Sequence, residues 1–215
     1  MDVAQKFPLT NNDLAVLGMG AQVRFPATFE EFWELLDEAE YNVEYYNQEI
    51  IATMSYETDV HADIATQMSY LLKNIFQEDK GYKVRNGNRP ICIPVCDHAV
   101  FNPDGSVIAL PAKYYEYRPG MNAELTPAVI FEVLSKNTRT HDLADKLPCY
   151  KKIASLRQII YIDSQRIEVT LWERVEGSEK WLETNFQALS DHFWVNSQSV
   201  SLREIYKDAQ IITAK

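Results

Sequence analysis

Asp104, Glu132 and Lys146 are the residues of this 215-residue chain whose types and spacing could do chemistry together. Glu132 stands inside the apolar run Ala128-Val-Ile-Phe-Glu-Val-Leu-Ser135. An ionised carboxylate withdrawn from water is costly unless a cation, a metal or a proton meets it. Bounded by Pro127 and by Ser135-Lys-Asn-Thr138, the run reads as a short buried strand with Glu132 near its carboxyl end. An edge strand with Glu132 facing water satisfies the same pattern. Asp104 opens the β segment before it. Carboxylates on neighbouring strands, ~5 Å apart, can converge on one hard divalent cation such as Mg²⁺, which keeps positions open for a phosphate. The ammonium of Lys146, on the following helix, can then orient or deprotonate an attacking water, or neutralise charge growing on the phosphorus. These are the parts of metal-assisted phosphodiester hydrolysis. Taken singly, Asp104 before Gly105 is also a common turn signature. Lys146 can equally pair with Asp142 on a solvated helix face, at ~0.3–0.5 kcal/mol.

The elements that must position these residues can be read from period and punctuation. Residues 1–25 show no clear period around Gly18-Met-Gly20. Thr28-Phe-Glu-Glu31 is a capping box that starts a short helix to about Asp37, with Phe32, Trp33 and Leu36 on one face. Residues 41–54 read as a hairpin turning at Asn47-Gln48. Asp59 is the expected cap of a core helix carrying Val60, Ile64, Met68, Leu71, Leu72, Ile75 and Phe76 at helical spacing, ended by Lys80-Gly81. Residues 82–110 read as short β segments broken at Asn86-Gly-Asn88 and Asn102-Pro-Asp-Gly105, before an irregular stretch rich in Tyr and Pro.

After the Glu132 strand, a helix is predicted from about Asp142, with Leu143, Leu147, Tyr150 and Ile153 as its apolar face, and Pro148 either kinks it or limits it to about a turn and a half before the proline. Residues 158–163, 166–173 and 181–186 read as strands. Ile167, Val169 and Leu171 alternate, so the middle strand is half exposed and antiparallel to its neighbours. Ser201-Leu-Arg-Glu204 caps a short terminal helix. No repeat or linker divides the chain, so one domain is expected.

With 46% hydrophobic and 24% charged residues the composition is that of a globular protein. The formal net charge of −10 repels polyanions at long range and argues against a sequence-independent nucleic-acid coat protein, though not against a nuclease with acid concentrated at its site. No apolar stretch is long enough to span a bilayer and the N-terminus lacks a signal-peptide core, so a cytoplasmic location without membrane is expected. Cys92, Cys96 and Cys149 are expected as free thiols of a reducing compartment. Cys92, Cys96 and His98 fall short of the four ligands of structural zinc. Cys149 with His141 lacks an orienting third residue for thiol catalysis. Lys136, Arg139, Lys146, Lys151, Lys152 and Arg157 outnumber Asp142 and Asp145, which is either a basic strip for a phosphodiester or an ordinary solvated face.

The runs Asn102-Pro-Asp-Gly-Ser-Val-Ile108, Thr126-Pro-Ala-Val-Ile-Phe-Glu-Val-Leu-Ser135 and Thr138-Arg-Thr-His-Asp-Leu-Ala-Asp-Lys-Leu-Pro-Cys-Tyr150 resemble the Uma2 family. These are restriction-endonuclease-like proteins of the PD-(D/E)XK superfamily, abundant in cyanobacteria. Residues 41–55 and His61 resemble the family's opening hairpin and helix-head histidine, and the likeness covers roughly residues 29–208.

The resemblance implies an α/β fold: a restriction-endonuclease-like mixed sheet flanked by helices, with added antiparallel strands. Residues 29–215 would form that domain after an N-terminal extension, residues 1–28. It implies Mg²⁺ (or Mn²⁺) held by Asp104, Glu132 and the Val133 carbonyl. The superfamily's lysine, two residues past the glutamate, is here Leu134, and such relatives carry it on the next helix, which nominates Lys146. Glu44 matches the family's early glutamate and His61 its helix-head histidine, although a strand-surface Glu44 and a first-turn His61 that packs its ring also satisfy the pattern. The implied activity is metal-dependent endonucleolytic hydrolysis of a nucleic acid, DNA, by a chain that could act as a homodimer. A non-catalytic nucleic-acid-binding or interaction protein that keeps the fold is the alternative. A phosphoesterase for small substrates is the third.

Overall fold

The computed structural model describes residues 3–17, 22–54, 57–87 and 89–211. Gly18-Met-Gly20, Ser55 and Asn88, which enter the expectations above, lie outside the described residues. The N-terminal part holds α1 (Val3–Lys6), α2 (Asn11–Leu17), β1 (Val23–Pro26), α3 (Phe29–Glu38), β2 (Asn42–Tyr46) and β3 (Glu49–Thr53). Next come α4 (Asp59–Ile75), β4 (Tyr82–Asn86), β5 (Ile91–Ile93), β6 (Ala99–Phe101), β7 (Gly105–Ala109), β8 (Tyr114–Arg118), β9 (Met121–Glu124) and β10 (Pro127–Leu134). A broken helix follows as α5 (Arg139–His141), a π turn (Asp142–Lys146) and α6 (Leu147–Tyr150). The chain ends with β11 (Gln158–Asp163), β12 (Val169–Arg174), β13 (Trp181–Phe186), β14 (His192–Val195), β15 (Gln198–Ser201) and α7 (Leu202–Ile205).

Two large sheets organise the molecule. One runs β13-β12-β11-β10-β7-β4, the other β1-β3-β2-β6-β5-β9-β8, and β14-β15 is a separate ribbon. β10 pairs antiparallel with β7 and parallel with β11, so the first sheet is mixed. Every residue of β10 is buried, which rules out the edge-strand alternative and explains the near-continuous apolar run. Its two faces divide by the strand period of two. Val129, Phe131 and Val133 pack with α4 residues Ile64, Met68 and Leu72, while Ile130 and Leu134 pack with Cys149, Tyr150 and Phe101. Glu132 shares the second face, the one turned toward the π turn and α6.

The hairpin at 41–54 turns at Asn47 and Gln48, whose φ values of 52° and 60° suit the tight turn of a twisted ribbon. Gly105 is a strand residue, and a Cβ there would overlap the Phe131 ring. Its glycine therefore serves close approach of β7 to β10 rather than a turn. The residues between β6 and β7, Asn102-Pro103-Asp104, carry the chain from one large sheet to the other.

Several expectations need correction. Thr58, not Asp59, caps α4, its hydroxyl accepting from the His61 N–H. The helix after β10 begins at Arg139, and Leu143 is exposed rather than on an apolar face. The disturbance expected at Pro148 is a change of helix type. The π turn just before it, closed by the Leu147 N–H to the Asp142 carbonyl, widens the helix where a proline cannot donate. Cys96 and Cys149 form a disulfide instead of remaining free thiols, while Cys92 is free and buried. The Tyr- and Pro-rich stretch folds as the β8–β9 hairpin, and β14–β15 forms another that alternation alone did not reveal. Val3, Phe7, Leu14 and Ala27 pack with Phe32 and Trp33 of α3 and Ile50 of β3.

Candidate functional site

The site lies at the seam of the two large sheets, at the carboxyl end of β10. Glu132 is only 2% exposed. Its Oε1 accepts from the Tyr150 hydroxyl at 2.7 Å and from Lys146 Nζ at 3.2 Å, and its Oε2 faces the Asp104 N–H at 3.3 Å. Asp104 answers across the strands, its Oδ2 accepting the Val133 N–H at 2.6 Å and its Oδ1 lying 3.1 Å from His61 Nε2. Asp104 and Glu132 thus come together where β7 leaves the β10 ladder. Because a strand residue turns its N–H and C=O to the same side, the Val133 carbonyl leaves β10 on the edge that faces Asp104.

Lys146 arrives from the other face of this pocket. The widened π turn aims its stem inward, and Nζ sits 3.0 Å from Glu44 Oε1, 3.1 Å from Asp142 Oδ1 and 3.2 Å from Glu132. It is therefore no solvated lysine paired only with Asp142. The helix delivers the ammonium to the glutamate from outside the strand, while Leu134, at the strand position that carries lysine in the superfamily pattern, packs into the core.

Glu44, in the middle of β2, is likewise buried. Asn102 donates its backbone N–H to Oε1 at 2.7 Å, and His141 Nε2 lies 2.8 Å from Oε2. His141 Nδ1 is 2.7 Å from Asp145, which also pairs with Arg24 of β1, so the N-terminal segment reaches the outer layer of the site.

The electrostatics follow from burial and an excess of acid. Glu44 loses solvation, yet Lys146 and His141 outweigh that loss and lower its carboxyl to about 2. Burial, with Asp142, Asp104 and Glu44 nearby, pushes Glu132 well above the usual carboxylate range against the pull of Lys146. Asp142 is raised by burial in the same way. Burial opposes charge on Lys146, but its three carboxylate neighbours hold it firmly protonated. Burial and Glu132 raise the Tyr150 hydroxyl, so it stays a donor. His61 is desolvated, which disfavours its cation, but the bond to Asp104 prevails and raises it.

A divalent cation fits this chemistry. Three carboxylates, Glu44, Glu132 and Asp142, converge around one lysine, with Asp104 beside Glu132, so acid outnumbers cation in this buried pocket. The donors are oxygens, as Mg²⁺ or Mn²⁺ prefers.

The structure brings Asp104, Glu132, Lys146, Glu44 and His61 together. It does not assemble the basic strip. Lys146 is consumed inside, Arg139 pairs with Asp163, and Lys151 stacks on Trp172 at 3.1 Å. Arg157 bonds to Ala128, at the opposite end of β10, roughly 13 Å of strand from Glu132. Asp142, His141 and Tyr150 were not singled out as site residues. They belong to the 138–150 run and line the pocket, but only their tertiary contacts reveal it.

Fold and site together define a restriction-endonuclease-like protein. The chain belongs to the Uma2 family, whose model, described as "Putative restriction endonuclease", matches residues 29–202. A crystal structure of "a putative nuclease belonging to DUF820 from Anabaena variabilis ATCC 29413" superposes with a TM-score of 0.61 at 15% identity, covering 80% of this chain and 97% of that one. At that identity the likeness speaks for the fold. No curated protein sequence matches. Among the described residues no helix is long and apolar enough to cross a membrane.

Proposed function

We propose that the chain is a divalent-metal-dependent endonuclease that hydrolyses phosphodiester bonds in DNA. The observation that carries this reading is Lys146 Nζ within 3.2 Å of Glu132, so the helix-borne ammonium and the strand carboxylate share one pocket. Asp104, Glu132 and the Val133 carbonyl are the groups that would hold Mg²⁺ or Mn²⁺. Bound there, the ion supplies a Lewis acid for a phosphoryl oxygen and a water of lowered pKa.

The chain's own groups do the rest. Tyr150 and the Asp104 N–H fix the carboxylate plane of Glu132 by donating to its two oxygens. Glu44, itself held by Asn102 and His141, positions Lys146. The Lys146 ammonium, whose three N–H groups face Glu44, Asp142 and Glu132, turns one of them from a carboxylate to the attacking water or to the phosphate and keeps its positive charge while doing so. Exposed Lys136 at the rim offers the backbone of a polyanion its first attraction. Cutting both strands of a duplex requires two such pockets, which a homodimer in the cytoplasm would supply.

Glu132→Gln should reduce Mg²⁺- or Mn²⁺-dependent cleavage of plasmid DNA by about a thousandfold or more, since the neutral amide keeps the shape and removes the ligand charge. Full activity in that variant would sink the reading. One observation favours a non-catalytic binding protein instead, because every Glu132 oxygen already has a partner within the chain. Absence of any Mg²⁺ or Mn²⁺ binding heat in the wild type would decide for that second reading.

A further inference from the structure

We propose that Cys96 and Cys149 form a thiol–disulfide switch that exchanges with small dithiols and controls how the site is held, the oxidised chain being the competent form. The inference rests on the nuclease reading only for the activity that the switch regulates. The two cysteines are 53 residues apart in sequence, and Asp104, Glu132 and Lys146 all fall inside the loop that the bond closes. One sulfur sits in the turn between β5 and β6 and the other on α6. The bond therefore ties the sheet that carries Glu44 to the broken helix that carries Lys146.

Both ends lead straight to the pocket. From Cys96 the chain runs through β6 to Asn102, whose N–H holds Glu44, and on to Asp104. Cys149 follows Lys146 by three residues and immediately precedes Tyr150, which donates to Glu132 at 2.7 Å. The two cysteines also share one apolar cluster with Phe101 of β6 and with Ile130 and Leu134, which flank Glu132 on its own face of β10. Without the bond, α6 keeps this packing but loses the covalent anchor that sets Lys146 and Tyr150 against Glu132. A shift of about 1 Å in such groups can cost on the order of a hundredfold in rate.

In the cytoplasm proposed for this chain a disulfide is usually transient, catalytic or redox-sensing rather than a permanent staple. Cys149 is only 1% exposed, whereas Cys96, at 6%, lies in a turn whose flanking residues Val95 and Asp97 are exposed. Lys152 Nζ stands 3.7 Å from Cys96 Sγ, where an ammonium meets the negative charge of a thiolate. In reduction, one thiolate of a small dithiol attacks Cys96 Sγ, the Sγ–Sγ bond breaks, and Cys149 leaves with the electron pair and takes up a proton. The second thiol of the reagent, deprotonated, attacks its partner sulfur in the mixed disulfide and releases Cys96 as the thiolate beside Lys152. The chain gains two electrons, and the dithiol becomes a cyclic disulfide. Oxidation runs the other way, the Cys96 thiolate attacking a small disulfide and Cys149 then displacing the small thiol.

The test compares the full chain equilibrated with reduced and with oxidised dithiothreitol, the reagent then being removed. Free thiols are counted after denaturation, and hydrogen exchange of the α6 amides and Mn²⁺-dependent plasmid cleavage are measured on each form. The oxidised wild type is expected to show one free thiol, Cys92, and the reduced form three. Reduction should speed exchange in α6 and lower cleavage, each about tenfold or more. Cys96→Ser and Cys149→Ala should behave like the reduced wild type after either treatment. Three free thiols in the oxidised sample overturn the inference. So does equal cleavage by the two forms, which leaves the nuclease reading standing. Faster α6 exchange on reduction, in a chain that cleaves no DNA in either form, upholds the switch and sinks the nuclease reading.

Discussion

Two charged clusters bridge the large sheets, and their balance of charge is opposite. At Glu124 of β9, fully buried, one carboxylate meets two guanidiniums: Arg85 Nε of β4 at 3.0 Å and Arg89 Nε at 3.2 Å, both on Oε1. At the site, Glu44, Glu132 and Asp142 crowd a single ammonium. The arginines keep 23% and 29% of their side-chain surface in water, whereas Lys146 keeps 6%. The first cluster can hydrate its surplus and staples the sheets through Oε1 alone, the buried Oε2 having no hydrogen-bond partner among the described residues. The second has a surplus of acid and is buried, which is the condition that makes a cation favourable. A charged seam thus holds the sheets together in one place and prepares chemistry in another.

The comparison is broken most severely at Lys146. Lys146→Met keeps much of the stem but leaves the ionised Glu44 without its cation, and removing one partner of a buried pair typically costs about 3–5 kcal/mol. Urea denaturation at neutral pH should show a loss of that size, with part of it recovered in Lys146→Met combined with Glu44→Gln. Wild-type stability in the single variant would mean that the cluster is not ionised as described.

A somewhat smaller effect comes from pH. The Glu44 carboxyl sits at about 2 in the folded chain against 4.5 for its reference. A lowered carboxyl contributes stability that is fully present above the unfolded value and is lost as pH falls from about 4.5 toward 2, on the order of 3 kcal/mol. The raised carboxyls of Glu132 and Asp142 work the other way, since their folded state holds protons and gains relative stability as pH drops. The difference between wild type and Glu44→Gln isolates the first contribution. That difference should shrink through this acid window, and a difference independent of pH would contradict the assignment.

How much of this was legible in the sequence depends on whether a signal was local. Glu132 was visible because one acid interrupts an apolar strand, and Asp104 and Lys146 because they flank that strand in a recognisable order. The capping boxes at Thr28 and Ser201 act within one turn, and both were found where expected. Tyr150 falls at helical spacing and reads as core, which it is, but its hydroxyl is also the shortest contact to Glu132. His141 carries no periodic signal, and its role depends on β2 arriving from another part of the chain. The same is true of Cys96 and Cys149, paired across a separation of 53 residues. The π turn is the subtlest case, because Pro148 announces a disturbance without saying that the helix will widen before it.

The smallest effect belongs to the other cluster and tests whether the two roles are separate. Glu124→Gln removes the negative charge but keeps an acceptor oxygen for Arg85 and Arg89, and both guanidiniums can turn further into water. A loss of about 1–2 kcal/mol is expected, because hydrated partners limit the penalty that a fully buried lysine cluster would suffer. Mn²⁺ titration should be unchanged, since Glu124 contacts none of Asp104, Glu132 or His61. If Glu124→Gln weakened Mn²⁺ as strongly as Glu132→Gln, the seam would act as one coupled unit, and acid surplus at Lys146 could no longer be treated as the feature that distinguishes the site.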